Sequence, residues 1–582
     1  MSSDALAPTK DPAGPGAPSG PPGEVAPGGG PAGAACAPPS GPPTPASRTG
    51  WDAVAWGAVF LALSAALQFA VSGDPYDADT AYHAAVGRLV AEHGLLKAFP
   101  WTPFSWLADH YADKELLFHI FFAPLSWLPW TVAAKVVGTL SGATLLLALY
   151  LVLRAQGVRW AGAWALVPLV ASDVFLFRFA LVRPHLLSIA LSLAALWAAA
   201  RGRLLVLGLV ALVFPWAYVA WQLPLVLVAV AELARVVSGE RLRWKPAAVA
   251  LLCTAAGIAL HPNALNLVRF NWVVVADVLV RNAWGGGEVV ELGLEFLPFS
   301  AEQWLRWMLG ATAMALAAVP LAWRRRREDP VAVAFALGAL LFGALTLRTA
   351  RFAEYFVPFS AAALALAAQG LGARWRLAVP AVALAASLAY SGVPLLETLE
   401  GLRSRPSRLD PGTAEAMRAR IPPGSQVFTC EWGLTGTLML ALPDRRFLVA
   451  LDPTLFQLKD PELYRLWVRL VFHPPDGAAE IIRERFGARY VACFWDERFR
   501  KLMDQLAFAP GVRTVLFTEE WSVYDLGESE AGEPAAHEPA GPLEGAGTPA
   551  GAGDGRDGPG GGTPAGRMPG PVAPGGPGAG AR

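Results

Sequence analysis

The residues of this sequence with the clearest chemical potential share one polar stretch, residues 73–119. Three carboxylates within six positions are followed by a tyrosine, a histidine and an arginine at helical spacing: Asp74, Asp77, Asp79, Tyr82, His83 and Arg88. A carboxylate in such a cluster can act as a general base or help to hold a divalent cation. We therefore expect Asp74, Asp77 and Asp79 to be catalytic residues, with Tyr82 and His83 binding the substrate.

The position of these acids also allows a purely structural interpretation. Asp79 comes just before a helical pattern, so either Asp77 or Asp79 could merely cap that helix, since Asp is a favoured N-cap residue. One Asp cannot easily be both an ideal cap and a base, but three neighbouring acids allow the two tasks to be divided. Asp113 and Glu115 form a second acidic cluster at the far end of the stretch. Three aromatic residues between the clusters fit a membrane-interface belt, the commoner explanation, or a sugar-stacking surface: Trp101, Phe104 and Trp106.

Arginines gather in two further links between apolar segments, RFALVRPH and LRTARFAEYF. We expect the following residues of these links to bind substrate: Arg178, Arg183, His185, Arg348, Arg351 and Tyr355. Arg348 and Arg351 are three positions apart, which would place them on one face of a helix. The guanidinium fork suits a phosphate or pyrophosphate. Arginines near the headgroup level also extend towards anionic lipid, and the residues alone leave both interpretations open.

The apolar content indicates the class of protein that positions these residues. Hydrophobic residues make up 54% of the 582 residues and charged residues only 16%, against about 25% charged in a soluble domain. Apolar segments of roughly 20 residues recur, the length that a helix needs to cross the hydrocarbon layer. We predict a polytopic α-helical membrane protein with about eleven transmembrane helices within residues 51–396. The formal net charge of zero gives no reason to expect a nucleic-acid partner.

The basic residues orient the predicted spans, which are 51–71, 131–153, 160–177, 185–200, 204–220, 222–237, 246–260, 303–323, 331–347, 352–371 and 377–396. Residues 115–130 are apolar but short and contain two prolines, so we expect an interfacial or re-entrant segment there. With a cytoplasmic N-terminus, every cytoplasmic link then carries Lys or Arg, as the positive-inside rule requires. The first loop, 73–130, both arginine links and the long loop from HPNALNLVRF to ELGLEFLPF fall together on the extracytoplasmic face. We expect them to form the wall of an outward-facing polar cavity there.

After residue 396 the pattern changes to mixed α/β. Strands are predicted at SQVFTC, RFLVALD, ARYVACFW, VRTVLFTE and WSVYDL, with helices between them. We predict a small extracytoplasmic α/β domain at 397–526. Its Cys430 and Cys493 could pair in an oxidising compartment, but the sequence favours two isolated thiols. The Pro- and Gly-rich tails, 1–50 on the cytoplasmic side and 527–582 at the C-terminus, are predicted to be disordered.

The pattern D-x-D-x-x-Y-H from Asp77 to His83, with the later GRLV and DKELLFH, resembles the first extracytoplasmic loop of the GT-C membrane glycosyltransferases. That class includes protein O-mannosyltransferases, aminoarabinose transferases and the oligosaccharyltransferase catalytic subunit. The segments LVRPH and RTARFAEYF are similar to the outer links of a bacterial branch of the GT-C class. The arginines of those links would face a lipid phosphate. The resemblance covers about residues 51–526. It implies a polyprenyl-phosphate-linked sugar donor and places Asp79, beside Asp77 and Asp74, as base or cation ligand.

The sequence therefore predicts a multi-pass protein of the bacterial cytoplasmic membrane that transfers a sugar from a polyprenyl-phosphate donor to an acceptor on the extracytoplasmic face. The acceptor is not identified, and a divalent cation is the one candidate cofactor. Because WWDYG-like acceptor motifs are absent from the sequence, oligosaccharyltransferase activity is not expected. Two alternatives are a non-enzymatic transporter or flippase of lipid-linked sugars and a membrane scaffold with an outer binding domain. The charges gather at one face rather than in mid-span, which argues against the transporter.

Overall fold

The computed structural model describes residues 48–73, 77–274, 297–404 and 409–527. Asp74 and nearly all of both predicted tails lie outside the described residues. The helices up to residue 272 are α1 (Arg48–Ala65, continued by the π-helical turn Ala66–Val71), α2 (Ala78–His93), α3 (Leu116–Phe122), α4 (Trp130–Ala155), α5 (Ala161–Ala171), α6 (Asp173–Ala180), α7 (His185–Arg201), α8 (Leu204–Ala217), α9 (Leu223–Val237), α10 (Trp244–Ala259) and α11 (Ala264–Trp272).

The remaining helices divide between the membrane part and the C-terminal part of the chain. Those of the membrane part are Ala301–Trp307, Leu309–Arg324, Pro330–Thr346, Ala353–Ala367 and Ala373–Ser404. Those of the C-terminal part are Pro411–Arg420, Thr435–Ala441, Thr454–Lys459, Pro461–Phe472, Ala478–Phe486 and Arg500–Phe508. The described chain is therefore mostly helical, with a small sheet near its end.

The apolar helices identify an integral membrane protein. Within the described residues, four helices are long and apolar enough to cross a membrane, and the number rises to seven if each of three bent helix pairs is one span. The shorter apolar helices α7, α8 and Pro330–Thr346 coincide, to within three residues at each end, with three other predicted spans. The total of eleven spans stays a prediction.

The predicted span 160–177 is not a single straight helix. It consists of α5 and α6, which meet at 100°. Ser172 stands at the break, and its hydroxyl accepts a hydrogen bond from the backbone N–H of Phe175 at 3.3 Å, which caps α6. As a result, Arg178 lies inside α6 and not in the link where the sequence placed it. Helix α3 has seven residues and ends in a 3₁₀ turn containing Pro124, so it is too short to cross the membrane.

Close packing between α4 and the link after α6 fixes the position of Arg183. A Cβ atom at Gly138 of α4 would lie 2.8 Å from the side chain of Val182 and 2.9 Å from that of Gln68. Gln68 in turn donates a hydrogen bond from Nε2 to the carbonyl oxygen of Ala180 at 2.9 Å. Small residues permit this kind of close approach between membrane helices, and here it holds the 181–184 link against α4.

The C-terminal part contains a four-stranded sheet in the order β1-β2-β4-β3, with β1 Val427–Thr429, β2 Tyr490–Phe494, β3 Arg513–Phe517 and β4 Trp521–Asp525. β1 and β2 are parallel, and the other pairs are antiparallel. The predicted strand RFLVALD is wrong. Only Arg446 forms a bridge, to Gln426, and the next residue, Phe447, donates its backbone N–H to the carbonyl oxygen of Trp101 at 2.8 Å. Leu451 then has a φ of +69°, which no strand residue adopts.

Cys430 and Cys493 form a disulfide, with their Cα atoms 5.0 Å apart. The expectation of two isolated thiols is therefore wrong. Cys430 follows β1 and Cys493 lies in β2, the neighbouring parallel strand. Proximity in the sheet, rather than their separation of 63 positions in sequence, brings the two sulfur atoms together.

The first loop and the C-terminal part share one apolar core. The ring centroid of Phe104 lies 5.8 Å from that of Phe456 and 5.7 Å from that of Phe486. Trp101 and Trp106 are partly buried against the same core. An interface belt or a sugar-stacking surface, the two uses expected of these aromatic residues, would require exposed rings. They dock the C-terminal part onto the first loop instead.

Gly436 is the closest point of this docking, and we predict that a side chain there is disruptive. A Cβ at Gly436 would lie 2.6 Å from the backbone nitrogen of Tyr82 and 2.7 Å from the carbonyl oxygen of Ala78, both on α2. We expect Gly436→Ala to lower the free energy of unfolding by about 1–3 kcal/mol, because rigid backbone must move. Thermal unfolding in detergent micelles measures this change.

The matched control for this substitution is Gly433→Ala in the same turn. Its nearest neighbour is the carboxylate of Glu431 at 3.3 Å, at the end of a flexible side chain, so we expect little change. Equal unfolding temperatures for Gly436→Ala and wild type would show that the two helices do not approach so closely.

Asp525 provides a pH-dependent contribution to the stability of the sheet. It accepts hydrogen bonds from Arg489 and Arg513, each at 2.8 Å, and from the Gly527 N–H at 3.0 Å. The bonds from Arg489 are the main cause that lowers the pKa of Asp525 to about 2. The stabilisation is complete above the unfolded-state pKa near 3.8 and disappears as pH falls towards 2.

We therefore predict that Asp525→Asn costs about 2 kcal/mol of unfolding free energy at pH 7 and almost nothing near pH 2. Unfolding temperatures of variant and wild type, compared at pH 7 and pH 3, should differ less at the lower pH. Asp504→Asn, at a 65% exposed carboxylate paired with Arg500, serves as the surface control. A difference that is independent of pH would contradict the prediction.

Candidate active site

Asp77 and Asp79, the two described acids of the 74–79 cluster, lie at the beginning of helix α2. Asp77 is the N-cap residue, and its carboxylate accepts hydrogen bonds from the backbone N–H of Thr80 at 3.2 Å and from the Thr80 hydroxyl at 3.0 Å. The capping interpretation is thus correct for Asp77. Asp79 lies in the first turn of the helix, where a negative charge interacts favourably with the helix dipole.

One arginine holds both acids. Arg183 donates from Nε to Asp77 Oδ2 at 2.8 Å and from Nη2 to Asp77 Oδ1, and its Nη1 lies 2.8 Å from Asp79 Oδ2. The guanidinium fork, for which the sequence left phosphate and anionic lipid open as partners, therefore contacts two carboxylates. Burial alone would raise the pKa of Asp77, but the charge and hydrogen bonds of Arg183, with those of Thr80, outweigh it and lower the pKa below 3.8. Asp77 is consequently ionised at neutral pH.

The two acids differ in their access to solvent. The side chain of Asp79 is 33% exposed, against 12% for Asp77. Asp77 is committed to the cap and to a bidentate contact with Arg183, whereas Asp79 keeps exposed surface beside the same arginine. Asp77 therefore takes the capping task, and a catalytic role for Asp79 stays a prediction.

The carboxylate of one buried glutamate, Glu354, lies near three further predicted binding residues. Its carboxylate lies 2.8 Å from Arg178 Nη2, 3.2 Å from His185 Nε2 and 3.9 Å from Arg351 Nε. The side chain of Glu354 is 1% exposed. Glu354 was not predicted from the sequence, although a glutamate in a predicted span, three positions after Arg351, is a signal of function.

The remaining residues of the two arginine links are arranged around this group. Arg351 Nη2 donates to the hydroxyl of Tyr218 at 3.3 Å. The hydroxyls of Tyr355 and Ser188 are hydrogen-bonded at 2.6 Å in the interior. Arg348 is exposed in the turn after helix Pro330–Thr346, and Arg351 belongs to a separate 3₁₀ turn. The expectation that Arg348 and Arg351 share a face of one helix is therefore wrong.

Tyr82 and His83, predicted to bind substrate, point into the interior, at 4% and 3% exposure. Burial raises the pKa of Tyr82 well above 10.0. Burial is the main cause, and the neighbouring His119 the second, that lowers the pKa of His83 well below 6.5. The imidazole of His83 is therefore neutral at pH 7. His83 Nδ1 lies 2.9 Å from His119 Nε2. His119 is the last residue of the DKELLFH motif, but it was not predicted from the sequence to be a site residue.

Comparison with known proteins adds the identity of the fold. No protein-family model matches the sequence, and a search of curated proteins gave no match. The structure is similar to the archaeal oligosaccharyltransferase AglB from Archaeoglobus fulgidus in complex with an inhibitory peptide and a dolichol-phosphate. The TM-score is 0.51 at 14% identity, over 76% of this chain and 70% of AglB. The chain has the GT-C fold.

Two further GT-C structures are similar. The arabinofuranosyltransferase AftD from Mycobacteria gives a TM-score of 0.49 at 19% identity, over 82% of this chain and 40% of AftD. ArnT from Cupriavidus metallidurans gives a TM-score of 0.47 at 13% identity, over 82% of this chain and all of ArnT, 100%. The match to AglB confirms the resemblance to the GT-C class at the level of the fold.

Proposed function

We propose that this GT-C protein is a membrane glycosyltransferase, transferring a sugar from a polyprenyl-phosphate-linked donor to an acceptor on the extracytoplasmic face. The observation that carries the proposal is the partly exposed carboxylate of Asp79, held 2.8 Å from Arg183 at the start of α2. The dolichol-phosphate in the AglB complex supports a lipid-linked donor. The sugar and the acceptor are left open.

Asp79 acts as the general base in the proposed reaction. An acceptor hydroxyl approaches from the aqueous side and transfers its proton to the carboxylate as its oxygen attacks the anomeric carbon. The bond from that carbon to the lipid phosphate breaks, and the polyprenyl phosphate leaves with the electron pair. Arg183 is a positioning residue, because its contacts with Asp77 and Asp79 fix the direction of the base.

The leaving phosphate is assigned to Arg351. The side chain of this arginine is 30% exposed, more than the 16% of Arg183. A guanidinium fork forms paired hydrogen bonds with phosphate oxygens, and its charge stabilises the leaving group. Arg178 and His185 are almost completely buried against Glu354, so we assign them to supporting this group and not to contacting the donor.

The disulfide supports the proposed orientation. Disulfides form and persist in oxidising compartments and are rare in the cytoplasm. The Cys430–Cys493 pair therefore favours an extracytoplasmic C-terminal part. The first loop shares an apolar core with that part, so both belong on the same side of the membrane. A cytoplasmic N-terminus and the bacterial inner membrane complete the proposed localisation.

A donor panel tests the proposal. Membranes that contain the chain are incubated with radiolabelled polyprenyl-phosphate sugars, and label in non-lipid products is measured against membranes containing Asp79→Asn. We expect one donor to be consumed only by the wild-type chain. Label that crosses sealed vesicles while still attached to lipid, equally in both samples, would favour the transporter. Donor consumption in neither sample, with binding to a partner through the C-terminal part, would favour the scaffold.

A further inference from the structure

A separate group of chemically active side chains lies one turn along α2 from Asp79, and the proposed reaction does not use it. His83 on α2, Glu115 before α3 and His119 on α3 face one another in the interior. Their candidate ligand atoms all lie within 4.8 Å of one another. The three residues are 3%, 4% and 2% exposed. We call these residues the His83–Glu115–His119 cluster.

We propose that the His83–Glu115–His119 cluster binds one transition-metal cation, with Zn²⁺ the best match. Two imidazole nitrogens and one carboxylate oxygen suit zinc, whereas Mg²⁺ and Ca²⁺ take oxygen ligands. Three protein ligands around a tetrahedral ion leave a fourth position for water. This site differs from the one considered in the sequence analysis, where the Asp residues of the first loop were candidate ligands of a divalent cation.

The distances within the cluster are close to those of a zinc site. His83 Nδ1 and His119 Nε2 are 2.9 Å apart, and Glu115 Oε2 is 4.0 Å from His83 Nδ1. Two imidazole nitrogens bound to tetrahedral zinc lie about 3.3 Å apart. The rings would separate by a few tenths of an ångström, which side-chain rotation provides. His83 Nδ1, which now donates to His119 Nε2, would bind the metal after its proton moves to Nε2 of the same neutral ring.

Asp113 orients His119 for metal binding. His119 Nδ1 donates to both carboxylate oxygens of Asp113, at 2.8 and 2.9 Å, which leaves the lone pair of Nε2 facing the cluster. Metal-binding histidines characteristically donate their second N–H to such a carboxylate. Asp113 is itself held, since its backbone N–H donates to Asn263 Oδ1 at 3.3 Å and its carbonyl accepts from His261 Nε2 at 3.0 Å.

A bound cation would tie α2 to α3 and so stabilise the helix that carries Asp77 and Asp79. Lys114, whose Nζ lies 3.6 Å from Glu115 Oε1, is the positive charge that the cation would have to compete with. The three residues of the cluster are buried inside the protein, and the proposed transfer assigns no step to any of them. Metal binding therefore does not depend on which reaction the chain catalyses.

Metal content tests the proposal directly. The full chain is purified in detergent with a tag that lacks histidine, dialysed against a chelator, and titrated with Zn²⁺ and, separately, with Co²⁺. We expect about one zinc per chain, the visible absorption of tetrahedral Co²⁺, and a higher unfolding temperature with zinc. Wild-type protein that takes up no metal and shows no Co²⁺ spectrum would overturn the proposal and leave a hydrogen-bonded His–His–Asp chain.

Variants locate the site. His119→Ala and His83→Ala are expected to lose zinc, and Asp113→Asn to weaken its binding about 10- to 100-fold. The matched control is His93→Ala, at an exposed histidine at the end of the same helix, which should keep full binding. Equal loss in the control, or full zinc binding and an unchanged Co²⁺ spectrum in His119→Ala, would place the metal elsewhere and reject the cluster.

Discussion

Replacing Asp79 with asparagine is expected to lower the rate of sugar transfer by about 100-fold or more, the usual contribution of a positioned general base. Asparagine has nearly the same shape and keeps an oxygen that can accept from Arg183, but it cannot take the acceptor's proton. The fold should therefore be preserved. Initial rates, normalised to the amount of chain in the membrane, measure the effect, and the unfolding temperature checks the fold.

The matched control for the base is Asp109→Asn. Asp109 lies in the same loop, is 60% exposed and pairs with Lys459 at 2.8 Å, away from α2. We expect its rate of transfer to stay within about twofold of wild type, because a surface ion pair contributes little. If Asp79→Asn transfers sugar as fast as Asp109→Asn, Asp79 is not the base.

Glu354→Gln is expected to cause the largest loss of stability, about 3–5 kcal/mol of unfolding free energy. The carboxylate is 1% exposed and lies 2.8 Å from Arg178. Its removal leaves a buried guanidinium without the compensating charge, which costs more than the pair itself contributed. Thermal unfolding in detergent, together with the yield of folded protein, measures this loss.

Two further variants separate charge from shape at Glu354. Glu397→Gln is the surface control, because Glu397 and its partner Arg306 are 58% and 52% exposed, and we expect less than about 1 kcal/mol there. Adding Arg178→Met to Glu354→Gln removes the uncompensated charge and should recover part of the lost stability. If the double variant loses as much unfolding free energy as the two single variants lose together, Glu354 and Arg178 are not energetically coupled.

Several local features of the site were predictable. The apolar runs marked α4 and α10 to within a few residues, because the length of an apolar helix is a property of its own segment. The acids preceding a helical pattern predicted the cap of α2 for a similar reason, since a cap involves residues within one turn. The strand expected at RFLVALD failed because Phe447 pairs with Trp101 of the first loop, which its own segment does not reveal.

By itself, the sequence determined the class of protein, the apolar helices and the cluster of acids at the start of α2. These follow from hydrophobicity, helix length and capping, which act over neighbouring residues. Only the tertiary structure decided that Arg183 binds Asp77 on both oxygens while Asp79 stays partly exposed, and that Glu354 pairs with Arg178. The contacts of Arg183 with Asp77 and of Arg178 with Glu354 span 106 and 176 positions. Such partners depend on how distant helices pack, and no local pattern encodes that packing.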